Sequence, residues 1–469
     1  MPSPLPLDAR TARLLPWIFA ITFFMQTLDS TILNTALPAM ARDLAEDPLR
    51  MQSVVIAYML AVALLIPASG WIADRFGTRR IFLGAILLFS LGSLFCALSQ
   101  NLAQLVAARV VQGLGGALML PVARLIVLRA YPRSELVRII SFIAIPGLLG
   151  PLLGPPLGGL LAQYASWHWI FLINLPVGAL CCCFALRLVP DLRGLERSRF
   201  DTPGFLLFGA AMVLITIALE SLGEPQRPLQ GVLLPLFAGL AGLALYWLRA
   251  LRIEQPLFAP GLFQTRTFAV GICGSLFARL GSGALPFLVP LMLQVAFDYS
   301  PTQAGLSMVP LALAAMLANP LNRWVIERCG YRRALLASTL ALGALLCSLA
   351  LVGPGQPYWL LLLQLVLLGG FNMLQFAALQ AVTLTDLDER ATSSGNSLLS
   401  VVTQLSLSLG VACTAALLGG FSGVAGNVLG AFQATFLCIG ALTVLVAAIF
   451  LRLGSDGRDA RSMEAVAEE

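Results

Sequence analysis

Charge is what this chain has least of. Only 11% of its 469 residues are Asp, Glu, Lys or Arg, against roughly 25% in a soluble domain. Lysine is absent, so all 29 basic residues are arginine. Histidine occurs once, and none of the nine cysteines belongs to a CxxC pair. These absences remove a zinc site and a disulfide framework, and no metal or cofactor is expected. Nothing matches GxxxxGK[ST], which removes a phosphate-binding loop and direct ATP drive. The apolar stretches hold no His/Glu zinc motif and no paired Ser–Lys or Asp–Asp set, and there is no long soluble signalling segment. An intramembrane enzyme and a non-transporting sensor therefore find no support.

Apolar residues fill the space: 58% of the chain is hydrophobic and its mean hydropathy is +0.88. Runs such as IFLGAILLFSLGSLFCALS (81–99) and LLLLQLVLLGGFNMLQFAALQAV (360–382) are long enough to cross a hydrocarbon core of about 30 Å as helices. About 14 such spans are predicted: 14–38, 51–73, 81–99, 103–128, 138–162, 168–188, 203–222, 230–250, 267–296, 302–325, 334–353, 358–382, 393–420 and 430–452. The fold class is an all-α, polytopic membrane protein embedded in a lipid bilayer. The first span follows a basic start without a small-residue cleavage site, and it reads as an uncleaved helix. The sequence pI near 9.0 does not point to nucleic acid, because the arginines sit in short clusters between apolar runs. With both termini cytoplasmic, most of them fall on the cytoplasmic side, including Arg187, Arg193, Arg197 and Arg199.

An internal repeat organises the spans. GWIADRFGTRR (70–80) and RWVIERCGYRR (323–333) match at Trp71/Trp324, Asp74/Glu327, Arg75/Arg328, Gly77/Gly330, Arg79/Arg332 and Arg80/Arg333. The two turns lie eight spans apart, so two extra helices separate halves of six, a repeated-half plan that transporters use. The expected divisions are a cytoplasmic N-terminus 1–13, a six-helix bundle 14–190, two inserted helices 203–250, a second six-helix bundle 267–452 and a cytoplasmic tail 453–469.

These residues resemble the major facilitator superfamily, in its 14-helix drug:proton antiporter branch, over essentially the whole chain. GWIADRFGTRR is similar to the family's loop 2–3 signature, LVAARVVQGLGGA (105–117) to its helix-4 signature and GPPLGG (154–159) to the end of its helix-5 antiporter signature. LDSTILNTALP (28–38) resembles the branch's helix-1 signature, and WHWIFLINLPVG (167–178) the start of its helix 6. Arg323 departs from the pattern, standing where the first copy has Gly70. The resemblance implies proton-driven export across a bacterial inner membrane by a multi-pass protein, here expected to act as a monomer.

Site residues follow from spacing. Thr22, Gln26 and Asp29 form one polar stripe on an apolar first helix. A charge at mid-bilayer costs about 2.5–3.5 kcal/mol, so such a group usually faces an internal cavity. Asp29 is expected either to couple protons or to form a permanent ion pair that orients helices. Arg109 shares a face with Gln112, Gly113 and Gly116, and cannot deprotonate at any working pH. Its expected partner is Asp29, with Asp74 or a backbone carbonyl as the alternative; the resemblance implies a proton relay. Gly150, Gly154 and Gly158, with Pro155 and Gly159, predict a bent and closely packed helix 5. The resemblance ties that helix to antiport.

The turns carrying Gly70, Asp74, Arg75, Gly77, Arg79 and Arg80, and Glu327, Arg328 and Gly330, read as a conformational gate. Asp74 is expected to latch to a helix N-terminus or an arginine. Candidate substrate-cavity residues are Gln26, Asn34, Gln112, Arg279, Asn372, Gln375 and Gln404, although interhelical hydrogen bonding explains such polar groups equally well. The leading function is proton-driven export of drugs or amphipathic small molecules. Arg279 keeps open export of a specific anionic metabolite or a metal chelate.

Overall fold

A computed structural model describes residues 8–193, 200–222, 228–353, 355–423 and 426–453. Most of the expected N-terminal and C-terminal tails, and Arg197 and Arg199, lie outside the described residues. Among the described residues every regular element is helical. Among the described residues thirteen stretches are long and apolar enough to cross a membrane, and Pro301–Leu317 adds a shorter apolar one.

Proline and glycine set the breaks. The first span is α1 (Ala9–Ile32), a single 3-10 turn and α2 (Leu37–Asp43). The second divides into α3 (Gln52–Leu65) and α4 (Ser69–Phe76) around Pro67, whose missing N–H and ring interrupt the hydrogen-bond ladder. Then come α5 (Thr78–Ala97), α6 (Leu102–Ala130) and α7 (Arg133–Tyr164). The helix of α7 runs through Pro146, Pro151, Pro155 and Pro156 without a break. Next are α8 (His168–Leu172), α9 (Asn174–Leu188), α10 (Thr202–Leu222) and α11 (Leu229–Ala250).

The remaining elements are α12 (Arg266–Gly283), α13 (Leu285–Val295), α14 (Pro301–Ser307), α15 (Val309–Leu317), α16 (Asn319–Leu349), α17 (Tyr358–Leu384), α18 (Glu389–Ser422) and α19 (Val428–Phe450). The span expected at 302–325 is therefore divided at Met308 and Ala318. In each case a proline, Pro310 or Pro320, stands at the second residue of the helix that follows, where a missing N–H is tolerated. Gly330 has φ 76° and ψ 161° within α16 and separates the expected spans on either side of it.

The chain forms two compact units. The first comprises Met1–Glu220, Pro228–Leu257 and Pro286–Val309, and so includes α13 and α14. Within it α1 packs on α7 and α9, α5 on α6 and α9, α3 on α6, and α7 on α14. A buried cluster around Phe19, Phe82, Phe89, Met119 and Ile126 fills its centre. The second comprises Ser221–Arg227, Phe258–Leu285 and Pro310–Glu469. There α12 packs on α17, α18 and α19, and α16 on α17 and α19, with Ala278, Leu335, Leu379 and Phe450 buried together. Large apolar side chains such as Leu87, Leu91 and Phe95 stay exposed along the helices, as a lipid-facing surface requires.

The stripe of small residues in α7 seats α1. A Cβ at Gly150 would meet Thr27 and Leu28, one at Gly154 would meet Thr31, and one at Gly158 would meet the Ile32 carbonyl and Thr35. Thr31 Oγ1 donates to the Gly150 carbonyl (3.2 Å) and Thr35 Oγ1 to the Pro155 carbonyl (3.0 Å). Gly159 turns towards α14 and lies against Pro301. Asp29 sits half a turn away from Thr27 and Thr31, so it points away from α7, towards α6 and α9.

Candidate functional site

The carboxylate of Asp29 lies within a closed set of donors. It is 1% exposed, as is Arg109. Arg109 Nη1 donates to Asp29 Oδ2 at 2.6 Å. Asp29 Oδ1 accepts from Gln112 Nε2 at 2.8 Å and from Asn174 Nδ2 at 2.9 Å. A second layer closes around these: both amides also reach Ser93 Oγ at 2.8 Å, and Arg109 Nη1 donates to Gln112 Oε1 at 2.6 Å. The guanidinium lies over the Tyr58 ring, 4.2 Å from its centroid, and Nε donates to the Val54 carbonyl at 3.4 Å.

Five elements, α1, α3, α5, α6 and α9, build this site, and glycines bring them close. Gly92 of α5 abuts the Gln112 backbone, and Gly113 of α6 abuts Tyr58 and Ala61 of α3. An ion pair removed from water survives only when its geometry is good and its remaining lone pairs and protons are satisfied. Here both carboxylate oxygens and the guanidinium are engaged.

The expected Asp29–Arg109 pairing is thus present, and the alternative partner for Arg109, Asp74, is engaged elsewhere. Gln112, expected along a cavity, belongs to the Asp29 cage. Asn174 and Ser93 are additions that sequence reasoning missed. Asn174 is an amide inside an apolar run, within the quoted WHWIFLINLPVG, and that was its only signal. Thr22 is buried and spends its hydroxyl on the Ile18 and Phe19 carbonyls of its own helix, both at 3.0 Å. Gln26 Oε1 and Asn34 Oδ1 are buried acceptors with no hydrogen-bond partner among the described residues.

In the second unit the candidates separate. Gln375 is buried and donates to Thr339 Oγ1 at 2.7 Å, so its amide ties α17 to α16. Asn372 and Gln404 are partly exposed and make no hydrogen bond among the described residues. Arg279 stands near the middle of the Arg266–Val295 stretch. Its guanidinium lies over Phe376, 4.3 Å from the ring centroid, and makes neither an ion pair nor a hydrogen bond among the described residues.

The two repeated turns differ. Asp74 pairs with Arg129, at the end of α6, at 2.6 Å, with side chains 32% and 30% exposed. Arg75 lies over Trp71 at 5.3 Å, and Trp71 stacks on Phe200 at 5.0 Å. Gly77 has φ 94° and leaves no room for a Cβ beside Asp191. Thr78 then exchanges hydrogen bonds with Leu192, 3.0 Å each way. Arg79 is partly exposed and Arg80 exposed. In the second copy Glu327 pairs with Arg323 of its own helix at 2.7 Å, both well exposed, and Arg328 lies over Trp324 at 4.6 Å. Gly330 shares the positive φ but has open space around it. Gly70 also faces open space.

Bilayer-length helices, a buried acid–arginine cage and an acid–arginine–glycine turn used twice define a polytopic membrane protein. The Major Facilitator Superfamily profile matches residues 19–255 and 271–467, and the chain belongs to that family, which makes it a transporter rather than an enzyme. It is 47% identical over 445 residues to "Putative multidrug resistance protein MdtD" of Cronobacter sakazakii, covering 94% of each chain. It is 46% identical over 455 residues to the protein of the same name from Serratia proteamaculans, covering 95% of this chain and 94% of that one. Among solved structures, a POT family transporter superposes with a TM-score of 0.70 at 17% identity, over 94% of this chain and 95% of the other. A D-xylose–proton symporter does so with 0.68 at 14% identity, over 94% and 97%. At these identities the likeness is one of fold.

Proposed function

We propose that this chain is a proton-driven exporter of drugs or other amphipathic small molecules in the bacterial inner membrane. It works as a monomer, with both termini cytoplasmic and halves of six helices flanking α10 and α11. The names carried by its relatives support the drug class. The observation that carries the coupling is the buried carboxylate of Asp29 held by Arg109, Gln112 and Asn174. Adding a proton to Asp29 cancels its charge and turns one of its oxygens from acceptor to donor. The charge–charge attraction to Arg109 is then lost, and Gln112 Oε1 and the Val54 carbonyl become the guanidinium's stronger remaining acceptors beside the neutral acid. Such a pair is a two-state element that a proton biases.

In alternating access the protonated and paired forms belong to different conformations. Asp29 loads from the outside, releases inside, and substrate leaves on the return stroke. Gln26 and Asn34 offer unspent acceptors to the donors of a substrate or to water. The test uses inverted membrane vesicles with a pH-sensitive dye and an imposed proton gradient. Adding ethidium is expected to dissipate the gradient with the wild-type protein and not with Asp29→Asn. An undiminished substrate-linked proton flux in that variant sinks the assignment.

A further inference from the structure

The second unit holds a cation that no described side chain neutralises. Arg279 stands near mid-span, lies over the Phe376 ring at 4.3 Å and makes no ion pair or hydrogen bond among the described residues. Stacking uses the face of a guanidinium and leaves its five in-plane N–H donors available. Those donors form the planar fork that matches a carboxylate in bidentate fashion. One helical turn before Phe376, on the same face of α17, Asn372 is partly exposed with its amide unspent among the described residues. Gln375, next to Phe376, is committed to Thr339.

We infer that Arg279, held over Phe376, is a recognition site for the carboxylate of an organic anion, with Asn372 as an auxiliary hydrogen-bonding group. The inference rests on the transporter reading above and narrows it: the substrate range includes aromatic or amphipathic carboxylates. A helix facing lipid gains nothing from a guanidinium presented in this way. A buried guanidinium ordinarily takes an acid partner or a backbone carbonyl, as Arg109 takes both. Phe376 pre-orients the fork, so little side-chain freedom remains to be lost when an anion docks.

The test is equilibrium binding to the purified full-length protein in detergent, without any gradient, with fluorescein as the anionic probe and anisotropy as the readout. Wild type is expected to bind saturably, with benzoate competing at least ten-fold better than the neutral isostere benzamide. Arg279→Gln should weaken fluorescein binding at least ten-fold. Arg279→Lys, which keeps the charge and loses the fork, should weaken it several-fold. Elution and thermal unfolding profiles verify the fold, and if Arg279→Gln does not fold, the Lys variant and the benzoate–benzamide comparison decide. Unchanged affinity in either folded variant, equal competition by benzamide, or no saturable binding to wild type overturns the inference. Proton coupling through Asp29 is read separately in vesicles, so either reading can fail while the other stands.

Discussion

At the scale of single residues, the question is whether the Asp29–Arg109 pair is a fixed strut or a switch. A buried pair is weak proof of stabilisation, because desolvating two charges cancels much of their attraction. Removing one partner, however, strands the other, at about 3–5 kcal/mol. Asp29→Ala should therefore lower stability by about that amount, read as a fall in the unfolding midpoint of the purified protein. Asp29→Asn keeps an oxygen for Gln112 and Asn174 and should lose less. The double variant Asp29→Asn/Arg109→Gln removes both charges and should recover most of the stability. A strut predicts that recovered stability brings recovered transport. A switch predicts a folded protein in which substrate no longer moves protons. Proton-linked transport by the double variant would return the pair to a structural role.

Helices carry the next level, and α7 shows what a sequence does and does not disclose about them. The period of Gly150, Gly154 and Gly158 announces a close contact, but only packing shows that the partner is the helix bearing Asp29. The expected span 302–325 ran through the breaks at Met308 and Ala318, although Pro310 and Pro320 stand just after them, and Asn174 carried no such mark. Its amide reaches Asp29 only because α9 packs on both α1 and α5, a long-range contact without a local pattern. Gln375 shows why the sequence left two readings open, since helical spacing cannot tell an amide facing a cavity from one bonded to Thr339. The glycine stripe yields a graded prediction. Gly158→Val drives a branched side chain into the Ile32 carbonyl, which is backbone and cannot step aside. A loss of about 1–3 kcal/mol or more is expected, with transport falling alongside it. Gly70→Ala meets nothing within 4 Å, and its stability should stay within about 0.5 kcal/mol of wild type. The inserted helices have an anchor of their own. Asp201 is buried, caps α10 through the Gly204 N–H at 3.0 Å, and holds Arg249 of α11 at 2.8 Å. Asp201→Ala should cost about 0.5–2 kcal/mol for the cap alone, more with Arg249 stranded, and thermal unfolding would measure it.

For the whole molecule, the repeat visible in the sequence is not a repeat in charge pairing. Asp74 reaches from α4 to Arg129 of α6 and so links two elements. Glu327 is taken by Arg323 four residues earlier, the residue that stands where the first copy has Gly70. One substitution thus converts an acid that could bridge elements into one satisfied within a single helix turn. Both pairs are exposed enough that each contributes at most about 1 kcal/mol, too little to hold the fold. A change of that size still alters the balance between two conformations about five-fold, because 1.4 kcal/mol corresponds to a factor of ten. The first turn should therefore control the rate of the conformational cycle and the second should not. Asp74→Arg should slow ethidium efflux several-fold at unchanged protein level, and Asp74→Arg/Arg129→Asp should restore much of it. Glu327→Gln should slow efflux less than Asp74→Asn does. Equal slowing by those two neutral variants would mean that the turns act symmetrically, and that the intrahelical Arg323 pair opens during the cycle to free Glu327 for a partner on another helix.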